Sequence, residues 1–177
     1  MTAGMIIHPL LFAVLFVVIT LFSLMEFYKL FGLAGADPHP VGGAVAAALF
    51  FGIVFGVVAG YLPLRLAGVL PLLPLSLFIA ELYRNRERPM VNIAASMAGF
   101  LYVVVPLSMA SLLIFTREGD TRHFYPWILF GVTITIWLYD SGAYLVGTAF
   151  GKHRLFERIS PLKSLDGLIG GGMTALL

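Results

Sequence analysis

Between Asp140 and Gly172 the chain reads DSGAYLVGTAFGKHRLFERISPLKSLDGLIGGG, gathering an acid, hydroxyls, basic residues and repeated glycines inside an otherwise strongly apolar sequence. An ionisable side chain placed near hydrocarbon costs about 2.5–3.5 kcal/mol on insertion scales, so such a cluster marks a substrate or ion site. Tyr144 follows Asp140 by one helical turn and Gly147 by two, with Gly151 one turn further on. One helix face therefore presents an acid, a phenol and then bare backbone, an arrangement suited to a cation or a polar headgroup. The alternative is an aspartate that ties two helices together through hydrogen bonds.

The second half of the cluster is chemistry for an anion. In Ser160-Pro161-Leu162-Lys163-Ser164-Leu165-Asp166-Gly167, serine precedes proline as an N-cap precedes the first helical residue, which predicts a helix start at this point. Its free N–H groups and positive dipole end attract phosphate. Lys163 in the first turn opposes that dipole, a conflict that a bound phosphate removes, and Lys152, Arg154 and Arg158 add attraction. The competing reading is that these bases only follow the positive-inside rule and touch anionic headgroups. Gly167, Gly170, Gly171 and Gly172 permit close backbone approach. Their spacing matches neither phosphate-loop nor dinucleotide fingerprints, and helix packing explains them equally well.

The elements that must position this cluster are membrane helices. Of 177 residues, 60% are apolar and 11% charged, far from the roughly 25% charged of soluble domains, and mean hydropathy is +0.98. A net charge of +2 with bases confined to short loops gives no support to nucleic-acid binding. Zero cysteines exclude disulfides, thiol catalysis and thiolate-bound zinc. His8, His39, His123 and His153 stand singly and read as interfacial polar residues rather than metal ligands. Windows of about 20 apolar residues predict spans near 8–32, 41–61, 63–82, 91–115 and 124–149. A last run after Asp166 stops at Leu177, as a truncated sixth span. The fold expected is an all-α polytopic transmembrane bundle forming a single domain, 1–177. Ala34-Gly35-Ala36 mimics a signal cleavage site, but the first basic residue is Lys29 and the apolar run is too long for a signal core, so the first segment is read as a membrane helix. Pro71 and Pro74 should break the third span, and the Gly/Ala-rich second span should let another helix approach closely. Glu26 is read as structural, with Lys29 as one partner. Arg84, Arg86 and Arg88 in one loop, and Lys152, Arg154, Arg158 and Lys163 in another, put both on the cytoplasmic side with the N-terminus outside.

The order Asp140-Ser141-x-Ala143-Tyr144, Gly147, Phe150-Gly151-Lys152-His153 and Ile159-Ser160-Pro161-x-Lys163-Ser164-x-Asp166-Gly167-x-Ile169-Gly170-Gly171 resembles the phosphatidate cytidylyltransferase, or CDP-diacylglycerol synthase, family. About 30 residues carry the resemblance strongly, and the upstream spans, with Glu26-Phe27-Tyr28 after the first, are compatible with it. Asp166 departs from the family's usual glutamate before Gly167. The resemblance implies an inner-membrane enzyme that joins CTP to phosphatidate with Mg²⁺, releasing pyrophosphate. It implies catalytic roles for Lys163, Asp166 and Asp140, with Asp140 also a metal ligand, and substrate contacts from Ser160, Ser164, Ser141, Tyr144, Lys152 and Arg154. CTP, phosphatidate and membrane lipids are the implied partners, and a homodimer is left open. The family's later signature, which supplies the principal metal-binding acids, falls beyond residue 177, so the chain as given is expected to lack a complete active site. Two other readings stay open: another CTP-dependent lipid enzyme, such as a polyprenol kinase or a CDP-archaeol-type synthase, and a small non-enzymatic transporter subunit, for which the proline-broken third span speaks.

Overall fold

The computed structural model describes residues 8–119, 121–151, 153–156 and 160–176. Five helices are long and apolar enough to cross a membrane: Pro9–Leu33, Pro40–Ala59, Leu64–Arg84, Pro89–Leu113 and Trp127–Phe150. They match the predicted spans to within a few residues, and the chain is a multi-pass, all-α membrane protein. Its described residues form two compact units, 1–126 and 127–177.

In the first unit, α1 (Pro9–Leu33) and α2 (Pro40–Ala59) begin alike, each with histidine followed by proline. His8 Nδ1 accepts the Leu10 N–H at 3.1 Å and His39 Nδ1 accepts the Gly42 N–H at 2.9 Å. Proline at the first helical position wastes no donor, because that N–H has no helical partner. The α2 helix ends at Gly60, whose φ of 85° is the left-handed conformation that favours glycine. A 3₁₀ turn, Leu64–Val69, precedes α3 (Leu72–Arg84). The expected break at Pro71 is present, while Pro74 falls in the first turn of α3, where its missing N–H costs nothing.

The fourth span is less regular than its composition suggests. Helix α4 (Pro89–Gly99) widens into a π turn over Phe100–Val104 before α5 (Val105–Met109). Pro106 has no N–H for the carbonyl of Tyr102, and the widening directly precedes it. After the fourth span, β1 (Phe115–Glu118) and β2 (Thr121–Phe124) pair antiparallel, Phe115 opposite Phe124 and Arg117 opposite Arg122. Aromatic and β-branched residues flank Gly119, and Phe115 meets Phe124 with ring centroids 5.9 Å apart, a cross-strand pair that stabilises such a ribbon.

The core of this unit collects Leu24, Tyr28, Ala46, Ala47, Leu77, Phe100, Val103 and Val104. A Cβ on Gly43 would stand 2.6 Å from Tyr28 Oη, and one on Gly99 2.5 Å from Tyr28 Cε1. Close approach, as expected of the second span, is therefore built around Tyr28, whose hydroxyl donates to the Ser96 carbonyl at 3.2 Å. Glu26 pairs with Lys29 at 2.5 Å on an exposed face.

Polar residues tie off both ends of the unit. At one end Arg84 donates to Glu81 Oε2 at 2.7 Å, to the Asp37 carboxylate at 2.9 Å and to the Asp37 carbonyl at 2.8 Å. Asn92 accepts the Asp37 N–H and donates to Glu81, both at 2.8 Å. Glu81 is only 3% exposed and Asn92 1%. At the other end Arg122 donates to the carbonyls of Val57 and Val58 at the end of α2, and the Val57 carbonyl also accepts the Gly60 N–H at 3.2 Å. The Asp37 turn and the Arg84 loop thus share one end, as the count of crossings requires.

Breaking a buried ion pair leaves a charge stranded and costs about 3–5 kcal/mol. Arg84→Met should therefore lower stability by that order in a detergent unfolding titration, and the double variant Glu81→Gln/Arg84→Met should recover part of the loss.

Candidate active site

The second unit is a helix pair joined through a ribbon: α6 (Trp127–Phe150), β3 (Arg154–Phe156), β4 (Ser160–Ser164) and α7 (Leu165–Leu176). The two helices pack backbone to backbone. A Cβ on Gly171 would lie 2.7 Å from the Tyr139 carbonyl oxygen, and one on Gly167 2.8 Å from that of Ala143. Gly142 faces Thr174, and Gly170 faces Val146 with no room for a side chain. The Thr174 hydroxyl reaches across to the Leu138 carbonyl at 3.1 Å. Of the two readings of the glycine run, helix packing is the one this geometry carries for Gly167, Gly170 and Gly171.

The helix start differs from the sequence expectation. Ser160-Pro161 does not open the helix; Ser160–Ser164 is a strand paired antiparallel with Arg154–Phe156, Arg154 opposite Ser164 and Phe156 opposite Ser160. Pro161 is tolerated because each strand of a two-stranded ribbon is an edge. The cap is Ser164, a buried residue whose Oγ accepts the Gly167 N–H at 3.1 Å. Lys163 therefore precedes the cap instead of opposing the dipole inside the first turn, and its side chain is exposed. The first turn carries Asp166, whose charge suits the positive helix end.

A second correction concerns Gly147 and Gly151, expected to offer bare backbone to a ligand. The Ser164 hydroxyl fills that space: a Cβ on Gly147 would stand 3.3 Å from it, and one on Gly151 2.7 Å. These glycines seat the start of α7. The segment is also tethered from upstream, since Asp166 Oδ2 accepts the His153 N–H at 3.2 Å and the Leu165 N–H donates to the His153 carbonyl at 2.8 Å. Sequence reading assigned His153 no such role; its place beside the cluster was the available signal.

Asp140, Ser141 and Tyr144 lie exposed on α6, Tyr144 at 70%. Among the described residues Asp140 has no hydrogen bond or ion pair, so the inter-helix tie is not formed by them. Asp140 precedes Gly147 by seven residues, about 10 Å of helix rise. The candidate residues thus occupy two levels, Asp140, Ser141 and Tyr144 along α6, and Lys163, Ser164 and Asp166 where the ribbon meets α7. Lys152 and the side chains of Arg154 and Ser160 lie outside the described residues. No three histidine or acidic side chains converge among the described residues; Asp140 offers a single carboxylate, and Mg²⁺ is commonly held by one or two carboxylates together with substrate phosphates.

The sequence profile of the cytidylyltransferase family matches residues 1–177. The chain belongs to that family. Similar to this cytidylyltransferase-family chain are proteins named phosphatidate cytidylyltransferase from three bacteria. That of Haemophilus influenzae is 52% identical over 50 residues, covering 28% of this chain and 17% of the relative. That of Mycobacterium leprae is 41% identical over 88 residues, 47% of this chain and 26% of the relative. For Staphylococcus aureus the figures are 47% over 77 residues, 44% and 28%. The matched stretches span at most 28% of these relatives' length. No solved structure matches the chain.

Removing an N-cap hydroxyl costs about 1 kcal/mol. Ser164→Ala should destabilise the helix pair by that amount and speed amide exchange at Gly167.

Proposed function

We propose that this cytidylyltransferase-family protein transfers CMP from CTP to phosphatidate, giving CDP-diacylglycerol and pyrophosphate. One observation carries the reading: an exposed lysine, Lys163, stands beside a capped helix start on a glycine-packed pair of helices, within the segment that resembles the family most. A phosphate oxygen of phosphatidate attacks the α-phosphorus of CTP, the bond from that phosphorus to the bridging oxygen breaks, and pyrophosphate leaves. Such transfer depends mainly on holding phosphates in line and stabilising their charge.

In this reading Lys163 holds a phosphate oxygen, with Ser160 at the far end of the same strand. Lys152 and Arg154 draw in the nucleotide or the lipid headgroup. Asp140, with Ser141 and Tyr144, orients the reacting groups, and Ser164 acts by setting where α7 begins. Asp166 holds the His153 loop against that start. Mg²⁺ is the proposed cofactor, neutralising the triphosphate when bound, with Asp140 its candidate ligand here. The proposed location is the inner (plasma) membrane, with the reacting face cytoplasmic and the N-terminus outside, supported by the basic loops. The proposal includes, as the resemblance implies, that residues 1–177 do not complete the metal site.

The test is transfer of radiolabel from CTP to phosphatidate in membranes containing Mg²⁺. It uses the 177-residue chain and the same chain fused to the C-terminal portion of the Staphylococcus aureus relative. Label should enter CDP-diacylglycerol with the fusion alone, and Lys163→Met in the fusion should lower the rate by about 100-fold or more, the scale of losing one charge-stabilising group. Activity of the 177-residue chain overturns the incomplete-site part. Absence of transfer with both proteins folded, or transfer to a different lipid acceptor, overturns the reaction.

A further inference from the structure

The inward face of the fourth span carries four buried polar side chains, Asn92, Ser96, Ser108 and Ser111, each at most 2% exposed. The first two are engaged, Asn92 with Asp37 and Glu81, and Ser96 Oγ with the His39 N–H at 3.0 Å. Ser108 and Ser111, both 0% exposed, have no hydrogen-bond partner among the described residues. Other helical hydroxyls of the chain show the ordinary solution: Thr20, Thr133, Thr135 and Thr148 each donate to the carbonyl four residues earlier, the usual back-bond of a hydroxyl inside a helix. The two serines do not, and the backbone that carries them is irregular. Ser108 lies in α5, directly after the π turn, and Ser111 in a 3₁₀ turn, Ala110–Leu113.

The neighbouring helices supply no substitute. This part of the span packs against α1 and α2. Helix α2 has no polar side chain between Pro40 and Ala59, and on α1 the buried hydroxyls of Thr20 and Tyr28 already donate to the Phe16 and Ser96 carbonyls. A hydroxyl without a partner is costly in an interior closed to solvent, so two on one face mark a place built for a further group. Side chains three residues apart leave the same face of a helix with Cβ atoms about 5–6 Å from each other, and a 3₁₀ turn brings such a pair nearly into line. Two hydrogen bonds of about 2.8 Å each bridge that gap through one oxygen. The chemistry of the serines selects the bridge. Each offers a proton and lone pairs; a cation would use only the lone pairs and an anion only the protons, whereas water both donates and accepts.

We propose that Ser108 and Ser111 hold one buried water molecule inside the first unit, with a backbone carbonyl of the same turn as its third partner. It lies in the half of the fourth span that leads to the β1–β2 hairpin, and there it takes the place of the side-chain pairing that fixes the opposite half. The site is independent of the transfer reaction.

The test is X-ray radiolysis of the whole 177-residue protein in detergent, which oxidises side chains beside bound water as well as those facing bulk solvent. Val104 and Ile114, both 0% exposed, stand one turn before Ser108 and one turn after Ser111. Oxidation is expected at these positions in the folded parent, and it should fall to background in Ser108→Ala/Ser111→Ala. No oxidation at either position in the parent, or the same oxidation in the double variant, overturns the proposal. A detergent unfolding titration gives a second reading. Each single alanine variant should lower the folding constant by about tenfold, the scale of one lost hydrogen-bonded group, and the double variant should lose little more than one single, since both changes release the same water. A gain in stability would show hydroxyls that had no partner, and small additive losses would show each bonded to its own helix; either result overturns the proposal.

Discussion

Hydrocarbon offers no water to an unpaired polar group, and this constraint shapes both units of the protein. Every backbone donor and acceptor within a span must find its partner inside the chain, so each place where a helix starts, breaks or ends needs a local device. His8 and His39 cap the first two helices, Arg122 donates to the Val57 and Val58 carbonyls at the end of α2, and in the first turn of α7 the Leu165 N–H goes to the His153 carbonyl and the Gly167 N–H to Ser164. The Glu81–Arg84–Asn92 knot follows the same rule for side chains. Glu81 can be buried because Arg84 and Asn92 occupy both of its oxygens.

In the second unit the constraint acts through packing. Lipid tails are as apolar as the side chains they would replace, so helices in a membrane associate by close van der Waals contact and not by hiding from solvent. Gly142, Gly167, Gly170 and Gly171 supply that contact, and the seam in turn places the ribbon, its exposed Lys163 and the Asp166–His153 tether. Chemistry proposed for this segment therefore rests on residues that carry no functional group at all. An enlarged side chain at Gly170 would move Lys163 through the helix that follows it.

The spans were legible because hydropathy over about 20 residues is a sum, insensitive to any one position. What depended on pairing was not. Ser160-Pro161 and Ser164 are both plausible caps by local chemistry, and the choice was made by a strand pairing between Ser160–Ser164 and Arg154–Phe156 that no local signal announces. The Asp37–Asn92 contact joins residues 55 positions apart, and the π turn at Phe100–Val104 answers a proline whose effect sequence alone does not locate. The cluster from Asp140 to Gly171 was identified by composition, yet its glycines were ambiguous until the partner helix was in place. Gly147 and Gly151, read as open backbone, are covered by Ser164.

The central proposal is that the exposed α6 residues and Lys163 at the ribbon end both face the cytoplasmic side and the nucleotide. The chain contains no cysteine, so single cysteines report without background. Ser141→Cys, Tyr144→Cys and Lys163→Cys would be treated with a membrane-impermeant thiol reagent from each side of sealed vesicles, with and without CTP. The account predicts modification of all three from the cytoplasmic side and slower modification when CTP is present. Modification only from the opposite side, or cytoplasmic modification that CTP leaves unchanged at every position, would contradict it.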